Sequence, residues 1–358
     1  MGITLSLLAI ATACVGIMLA SNVFEPASDY LGRNMPDGVK GATINAIGSS
    51  MPELLTTFIL LFWHRSVDGF SGGIATTAGS AVFNAVLIPG AVLFAVLIWK
   101  ATTTSVQLDR RTLVRDGTFV LIAEILLIWF LSSTTMYWWM GAALMSVYAC
   151  YFGYLMYQMY THGTEDNDTE EEEEEPAEPW VNNPGNFLAM AKGKKFQFDS
   201  NIQAWSVLVV AVGYLGIFCH MLADATVALA QAWNLPVFIT TVVFAAAATS
   251  VPDTVISIKD ALKGNYDDAV ANAVGSNIFD VCVSLGLPLF IYGLVYGPVE
   301  LGGVGNADVQ ILRWVMLGFT AAVLYLFYRG SVGKKTAYGL LSMYSGWLLF
   351  ILYRALQY

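Results

Sequence analysis

The sequence predicts an all-α membrane protein, with ten transmembrane helices in two inverted five-helix repeats. Three observations carry that prediction. The 358 residues are 56% hydrophobic and only 12% charged, with a mean hydropathy of +0.61, which is more apolar surface than a soluble chain of this length can hide. Ten hydrophobic runs are long enough to cross about 30 Å of hydrocarbon, at 3–24, 41–63, 73–99, 117–132, 136–160, 204–232, 236–259, 269–296, 309–328 and 335–356. A motif built on a proline and an acid also occurs twice, two hundred positions apart.

The first run lacks a basic leader and reads as a span rather than a cleaved signal peptide. Five runs make up a first repeat, 1–160, and five a second, 204–358. Between them, 161–203 is expected to be an acidic, disordered linker: its stretch TEDNDTEEEEEEPAEP, 164–179, holds ten acids and no base. That stretch accounts for the whole net charge of −10; such a run repels itself and stays solvated. Nucleic acid is not an expected partner.

Basic residues orient the chain. With the N-terminus outside, Arg33, Lys40, Lys100, Arg110, Arg111, Arg115, Lys192, Lys194, Lys195, Lys259, Lys263, Arg329, Lys334 and Lys335 face the cytosol. Only Arg65, Arg313 and Arg354 face out. Both termini are therefore expected outside and the linker in the cytosol.

RNMPDGVKGATINAIGSSMPELLTT at 33–57 answers WNLPVFITTVVFAAAATSVPDTVIS at 233–257. Asn34 pairs with Asn234, Pro36 with Pro236, Ala46 with Ala246, and Pro52-Glu53 with Pro252-Asp253. TAGSAVFNAVLIPG at 77–90 answers AVGSNIFDVCVSLGLP at 273–288, so Ser80 meets Ser276 and Asn84 meets Asp280. The repeat motifs cover 41–90 and 242–288. An odd number of spans per copy inverts the second copy, an architecture of many secondary transporters with the site at mid-bilayer.

Proline in a helix interior withdraws one N–H. Pro52 thus frees the carbonyl of Gly48 and Pro252 that of Ala248, and the distortion should open Ser49 and Thr249 as well. Bare carbonyls at membrane depth must line a cavity or be buried in protein. With the hydroxyls of Ser49, Ser50, Thr249 and Ser250 and the carboxylates of Glu53 and Asp253, they form an all-oxygen, negatively charged cluster. Two buried carboxylates repel unless a cation lies between them, and hard oxygen donors suit Ca²⁺ rather than zinc or copper. Ser80 with Asn84, and Ser276 with Asp280, share helix faces at i, i+4 and are expected to form the other wall. Gly72, Gly73, Gly79 and Gly275 permit close helix approach. His64, His162 and His220 lie outside both motifs.

At these motifs the sequence resembles the cation/calcium antiporter superfamily, in its sodium/calcium exchanger branches. GSSMPELLTT with GSAVFN, and ATSVPDTVIS with GSNIFD, are similar to that family's two alpha-repeats, with GSAVFN and VGSNIFDV…GLP nearest the potassium-dependent branch. The resemblance implies transport rather than catalysis and no cofactor: several Na⁺ exchanged for one Ca²⁺ by alternating access, with K⁺ co-transport an open possibility. It implies Glu53 and Asp253 as principal Ca²⁺ ligands, assisted by the carbonyls of Ser49 and Thr249. Na⁺ sites would use Ala46, Ser50 and Ser80 with Ala246, Ser250 and Ser276, while Asn84 and Asp280 take the centre. It further implies a monomer in the lipid bilayer of the cell membrane. Ala248 stands where the motif usually has Gly, and Ser49 where Thr is common. The linker is too short for calcium-sensing β-sandwiches, so regulation through such domains is not expected. A cation/proton antiporter on the same scaffold, a cation channel and, weakest, a non-transporting membrane scaffold, which would leave the duplicated buried acids without a purpose, are the rival readings.

Glu124, in LIAEILLIWF, is mid-span and outside the motifs, and reads as a hydrogen-bonded packing acid. Asp224 and Glu25 fall near span ends, where helix-end or vestibule roles are expected. Cys14, Cys150, Cys219 and Cys282 read as small core residues without disulfide or metal spacing. MYWWM at 136–140 reads as packing and interfacial belt. Spans one and six, long and sparsely charged, are candidates to slide against the repeat helices.

Overall fold

The computed structural model describes residues 2–33, 46–64, 67–162, 178–180, 184–194, 196–301, 306–330 and 332–358. Asn34, Pro36, Lys40, Arg65, Lys195 and most of the acidic run lie outside the described residues. The first half comprises α1 (Ile3–Leu31), α2 (Ala46–Ser49), α3 (Met51–Phe62), α4 (Val67–Val82), α5 (Ile88–Phe94), α6 (Arg110–Phe130) and α7 (Trp138–His162). A short α8 (Pro184–Ala191) precedes α9 (Asn201–Trp233), α10 (Val237–Thr240), α11 (Ala246–Thr249) and α12 (Val251–Leu262). The chain continues through α13 (Tyr266–Phe279), α14 (Gly286–Val295), α15 (Asn306–Tyr328) and α16 (Lys334–Ala355).

Local chemistry sets several of these ends. The Asp109 carboxylate accepts from the N–H groups of Arg111 at 3.2 Å and Thr112 at 3.0 Å, starting α6. The Ser200 hydroxyl accepts from the Gln203 N–H at 3.4 Å at the start of α9. That helix stops at Asn234, in the left-handed region at φ 54°.

Among the described residues, seven helices are long and apolar enough to cross a membrane: Ile3–Leu31, Gly69–Trp99, Trp138–Gln158, Asn201–Trp233, Tyr266–Val295, Asp308–Tyr328 and Lys334–Ala355. The stretches Val237–Thr249 and Val251–Leu262, bent by 41°, would together make an eighth. Helix α6 carries Arg115, Asp116 and Glu124 within its apolar length. The twelve-residue α3 follows a stretch outside the described residues. The expected spans 41–63 and 236–259 are thus not continuous helices, because the chain breaks in front of each proline.

Packing recurs with the halves exchanged. Helix α7 lies on α14, and α16 lies on α5; α6 packs on α13, and α15 on α4. At the bundle ends Thr135–Met136 (β1) pairs antiparallel with Val299–Glu300 (β4), while Val106 bridges Val332. Each contact has a counterpart in which first and second half trade places. The long helices α1 and α9 pack on each other, with Gly16 directly against the Phe218 ring and no room there for a Cβ.

Part of the linker departs from the disorder expected of 161–203. Glu178–Pro179 (β2) pairs in parallel with Phe196–Gln197 (β3), and α8 packs on α1, where Asn22 Nδ2 donates to the Ala191 carbonyl at 2.9 Å. Trp180, Met190, Phe196 and Phe198 are buried there beside α1 and α9. The acidic run lacks such apolar residues; this stretch has enough of them to pack. Among the cysteines, Cys219 and Cys282 are buried as expected, but Cys14 is half-buried and Cys150 is exposed on α7, so the core reading fails for Cys150.

Candidate functional site

Ser50 ends α2 at φ −92°, ψ 3°, and Ser250 ends α11 at φ −85°, ψ 3°. Pro52 and Pro252 therefore lie in the first turn of new helices rather than inside continuous ones, where a missing N–H costs little. The ladder resumes with Leu54 N–H to Ser50 O and Thr254 N–H to Ser250 O, both 3.2 Å. Glu53 and Asp253 thus occupy the first turn of α3 and α12. A carboxylate there faces the positive end of the helix dipole.

The opposite wall comes from α4 and α13, which carry Ser80 and Ser276. Each then passes into a π turn, Phe83–Leu87 holding Asn84 and Asp280–Ser284 opening with Asp280. A third π turn, Thr241–Ala245, precedes Ala246. Sequence reasoning missed these widened turns, which recur at functional sites. For the first two a signal was available in Pro89 and Pro288, which cannot donate to the carbonyls of Ala85 and Ser284 four residues back; Thr241–Ala245 has no such proline.

Ser49, Ser50, Glu53, Ser80, Asn84, Thr249, Ser250, Asp253, Ser276 and Asp280 are all buried, and so is Ala246. Ala46 opens α2, and its side chain lies outside the described set. Ser80 Oγ donates to Glu53 Oε1 at 2.9 Å, and Ser250 Oγ to the same oxygen at 3.2 Å; the two hydroxyls also touch each other. Ser276 Oγ donates to Asp253 Oδ1 at 2.8 Å and lies 3.4 Å from Ser49 Oγ. Asn84 Nδ2 donates to Asp280 Oδ2 at 3.2 Å. Each half therefore reaches across to the other. Thr249 Oγ1 instead bonds back to the carbonyls of Ala245 at 3.0 Å and Ala246 at 3.2 Å, so this hydroxyl is turned to its own helix.

Glu53, Asp253 and Asp280 are three carboxyls buried in the one cluster. Five buried oxygens of the cluster, Glu53 Oε2, Asp253 Oδ2, Asp280 Oδ1, Asn84 Oδ1 and Ser50 Oγ, have no hydrogen-bond partner among the described residues. Buried oxygens of native proteins are nearly always satisfied. Five together, three of them from carboxyls, are an all-oxygen, hard donor set by their chemistry. No group of three or more His, Cys, Asp or Glu among the described residues is gathered closely enough to hold a metal ion as it stands.

Other polar residues fall outside this cluster. Glu124 Oε1 accepts from Thr320 Oγ1 at 2.7 Å, while its Oε2 is buried with no hydrogen-bond partner among the described residues. Cys219 of α9 directs its thiol to the Pro52 carbonyl at 3.6 Å, a link to the broken helix that the sequence did not reveal. Glu25, with Ser21 and Ser28, lines a cavity of ≈ 10 Å³ that reaches Gly48 and Ser49.

The family model of the sodium/calcium exchanger protein matches residues 5–157 and 203–353. Sodium/potassium/calcium exchanger Nckx30C of Drosophila melanogaster is 35% identical over 153 residues, covering 37% of this chain and 17% of that protein. Sodium/potassium/calcium exchanger 2 of Homo sapiens is 37% identical over 116 residues, covering 32% and 16% respectively. Matching stretches thus span less than a fifth of either relative. The fold is similar to that of the sodium-calcium exchanger NCX_Mj at TM-score 0.57 and 18% identity, covering 96% of this chain and 97% of that one. It is also similar to the H⁺/Ca²⁺ exchanger CAX at TM-score 0.61 and 15% identity, covering 99% and 87%.

Proposed function

The chain belongs to the sodium/calcium exchanger protein family, and from that premise we propose that it is a membrane antiporter exchanging several Na⁺ for one Ca²⁺ by alternating access. One observation carries the proposal. Glu53 and Asp253, fully buried and from different halves, each follow a proline break and each are held by serine hydroxyls. In this reading they are the principal Ca²⁺ ligands, with the carbonyls of Ser49 and Thr249. Na⁺ takes flanking positions at Ala46, Ser50 and Ser80 and at Ala246, Ser250 and Ser276. Asn84 and Asp280 lie between, where K⁺ would be co-transported; the names of the sodium/potassium/calcium exchangers support that part.

The chain is a multi-pass integral membrane protein. Ten crossings in two inverted repeats, 1–160 and 204–358, account for the exchanged packing partners and for the strand pairings at the bundle ends. Both termini lie outside and the linker in the cytosol. The protein works as a monomer in the cell membrane. Na⁺ and Ca²⁺ compete for shared oxygens, and the empty, negatively charged cage reorients slowly; that difference couples the two fluxes. Helices α1 and α9 slide against the repeat helices, and the Glu25 cavity beside Ser49 is the start of the cytosolic route.

A second reading, Ca²⁺/H⁺ exchange, is favoured by the likeness to CAX. Its protons would titrate the same acids. Ca²⁺ flux in proteoliposomes, with Na⁺, K⁺ and pH gradients imposed one at a time, separates the two. Uptake driven by Na⁺ supports the proposal. Uptake driven by pH alone and indifferent to Na⁺ replaces it with the second reading, and ion currents persisting without counter-ion would make the protein a channel.

A further inference from the structure

The small cavity beside Ser49 has a chemistry of its own. It measures ≈ 10 Å³ and is lined by Ser21, Glu25 and Ser28 of α1, Gly48 and Ser49 of α2, and Ile256 of α12. That is about the room one water-sized particle needs. Glu25 is its one acid. Ser21 is 6% exposed, and its hydroxyl has no hydrogen-bond partner among the described residues. A serine inside a helix ordinarily donates back to a carbonyl of the preceding turn, as Ser28 does to the Glu25 carbonyl at 2.9 Å. Ser21 does not. On the facing wall, a Cβ at Gly48 would stand 2.8 Å from the Phe24 ring and 3.7 Å from Ser28 Oγ. The Gly48 carbonyl is also the one to which Pro52 cannot donate. Helix α12 packs on α1, and the exposed Lys259, with Lys263 just beyond the helix, sets this mouth at the water boundary.

The second copy does not repeat this arrangement. Two hundred positions on, in the register that aligns the motifs, Met221, Ala225, Ala228 and Ala248 answer to Ser21, Glu25, Ser28 and Gly48. Each oxygen-bearing side chain becomes apolar, and the glycine gains a methyl. In inverted repeats those positions fall at the opposite mouth. We propose that Ser21, Glu25 and Ser28 hold a single alkali cation, Na⁺ in the exchange described above, as a staging site that only the cytosolic mouth possesses. Carboxylate, hydroxyl and carbonyl are hard oxygen donors. One carboxylate balances one positive charge. Ca²⁺ takes about six to eight oxygen ligands, and in a cavity with room for one particle its second charge would stay uncompensated.

Ser49 joins the two compartments. It lines the cavity, and its Oγ lies 3.4 Å from Ser276 Oγ, which donates to Asp253 Oδ1 at 2.8 Å. A cation leaving Glu25 has only Ser49 to pass before it meets the cage. The sidedness rests on the exchange and the orientation proposed above; the binding does not.

The test uses the full chain in nanodiscs, free of Ca²⁺, with ²²Na⁺ as the probe. In the Glu53→Gln/Asp253→Asn double variant, which lacks the paired carboxylates of the cage, one saturable Na⁺ should remain. Adding Glu25→Gln should weaken it about tenfold or more, as loss of a charged ligand does. Ser21→Ala deletes a buried hydroxyl that has no hydrogen-bond partner among the described residues. It should weaken Na⁺ yet melt no lower than its parent in Na⁺-free buffer; a hydroxyl that served packing alone would show the reverse. Na⁺ binding indifferent to both substitutions means that the cavity holds water only, and overturns the site. So does the absence of saturable Na⁺ in the double variant. In excised membrane patches, Glu25→Gln should raise the Na⁺ concentration for half-maximal exchange current about tenfold from the cytosolic face and leave it unchanged from the outer face. An equal shift at both faces overturns the one-sided staging. Should wild type move no Ca²⁺ on a Na⁺ gradient, the exchange proposal fails while ²²Na⁺ binding still decides the site.

Discussion

Gly79 precedes Ser80 on α4 and faces the helix turn leading into α11. A Cβ at position 79 would stand 2.8 Å from Val242 Cγ2, 2.9 Å from Ala246 Cβ and 3.3 Å from Val242 Cα. Carbon atoms pack at about 3.5–4.0 Å, so Gly79→Ala lacks at least about 0.7 Å of room. The Val242 side chain can turn, but its backbone and the Ala246 Cβ cannot, so α4 must move away. Ser80 moves with it, which disturbs its 2.9 Å hydrogen bond to Glu53 Oε1. Ligand distances in metal sites hold to within about 0.2 Å; the displacement is roughly three times that tolerance. Overpacking costs about 1–3 kcal/mol, and 1.4 kcal/mol is a factor of ten in affinity. The variant should therefore show about fivefold or more slower Na⁺-driven ⁴⁵Ca²⁺ uptake in proteoliposomes and a lower melting temperature. Gly213→Ala on α9, where an added Cβ meets nothing within 4 Å, is the control and should behave as wild type. Gly79→Ala transporting within twofold of wild type, with unchanged Ca²⁺ dependence, would refute the close-packed cage.

Pro252→Ala restores an N–H able to donate to the Ala248 carbonyl; the straighter helix should slow ⁴⁵Ca²⁺ uptake about tenfold without loss of stability, and unchanged uptake would contradict the role given to the break. Glu124→Gln should keep Na⁺-driven uptake within about twofold, whereas Glu124→Leu strands Thr320 and should cost about 1–3 kcal/mol in thermal unfolding; lost transport in the Gln variant would make Glu124 part of the ion path. Asp109→Ala removes the cap of α6 and should cost about 1 kcal/mol, read as a lower melting temperature. Partial burial pushes the Asp109 carboxyl up, but hydrogen bonds from Thr112 and Arg111 outweigh it and hold the group below its usual range. The cap's stabilisation is therefore complete above the unfolded pKa of about 3.9 and is lost as pH falls through the lower folded value. Wild type and Asp109→Ala should melt further apart at pH 7 than at pH 3.

Much of this architecture could be read from the chain because membrane burial writes itself into composition, and because the duplication gave each motif a second copy. Pairing Ser80 with Ser276 and Asn84 with Asp280 brought together residues that the fold places in one buried cluster. The nature of the kink was less legible. Proline chemistry announces a distortion, but only the backbone shows that Ser50 and Ser250 end one helix before the prolines start another. The π turns were missed because hydrophobic periodicity is blind to one extra residue in a turn. The folded end of the linker was hidden beside an acidic run: Trp180, Phe196 and Phe198 are too widely spaced to make a periodic signal, yet they pack on α1 and α9. Contacts such as Cys219 with Pro52 depend on helix placement alone.

The central claim is that Glu53 and Asp253 jointly hold one hard cation. Equilibrium Ca²⁺ binding to the purified chain and to Glu53→Gln and Asp253→Asn tests it most directly. Removing one member of a buried charged set costs about 3–5 kcal/mol, so each variant should bind Ca²⁺ at least about a hundredfold more weakly than wild type. Wild-type affinity in either variant would contradict the account.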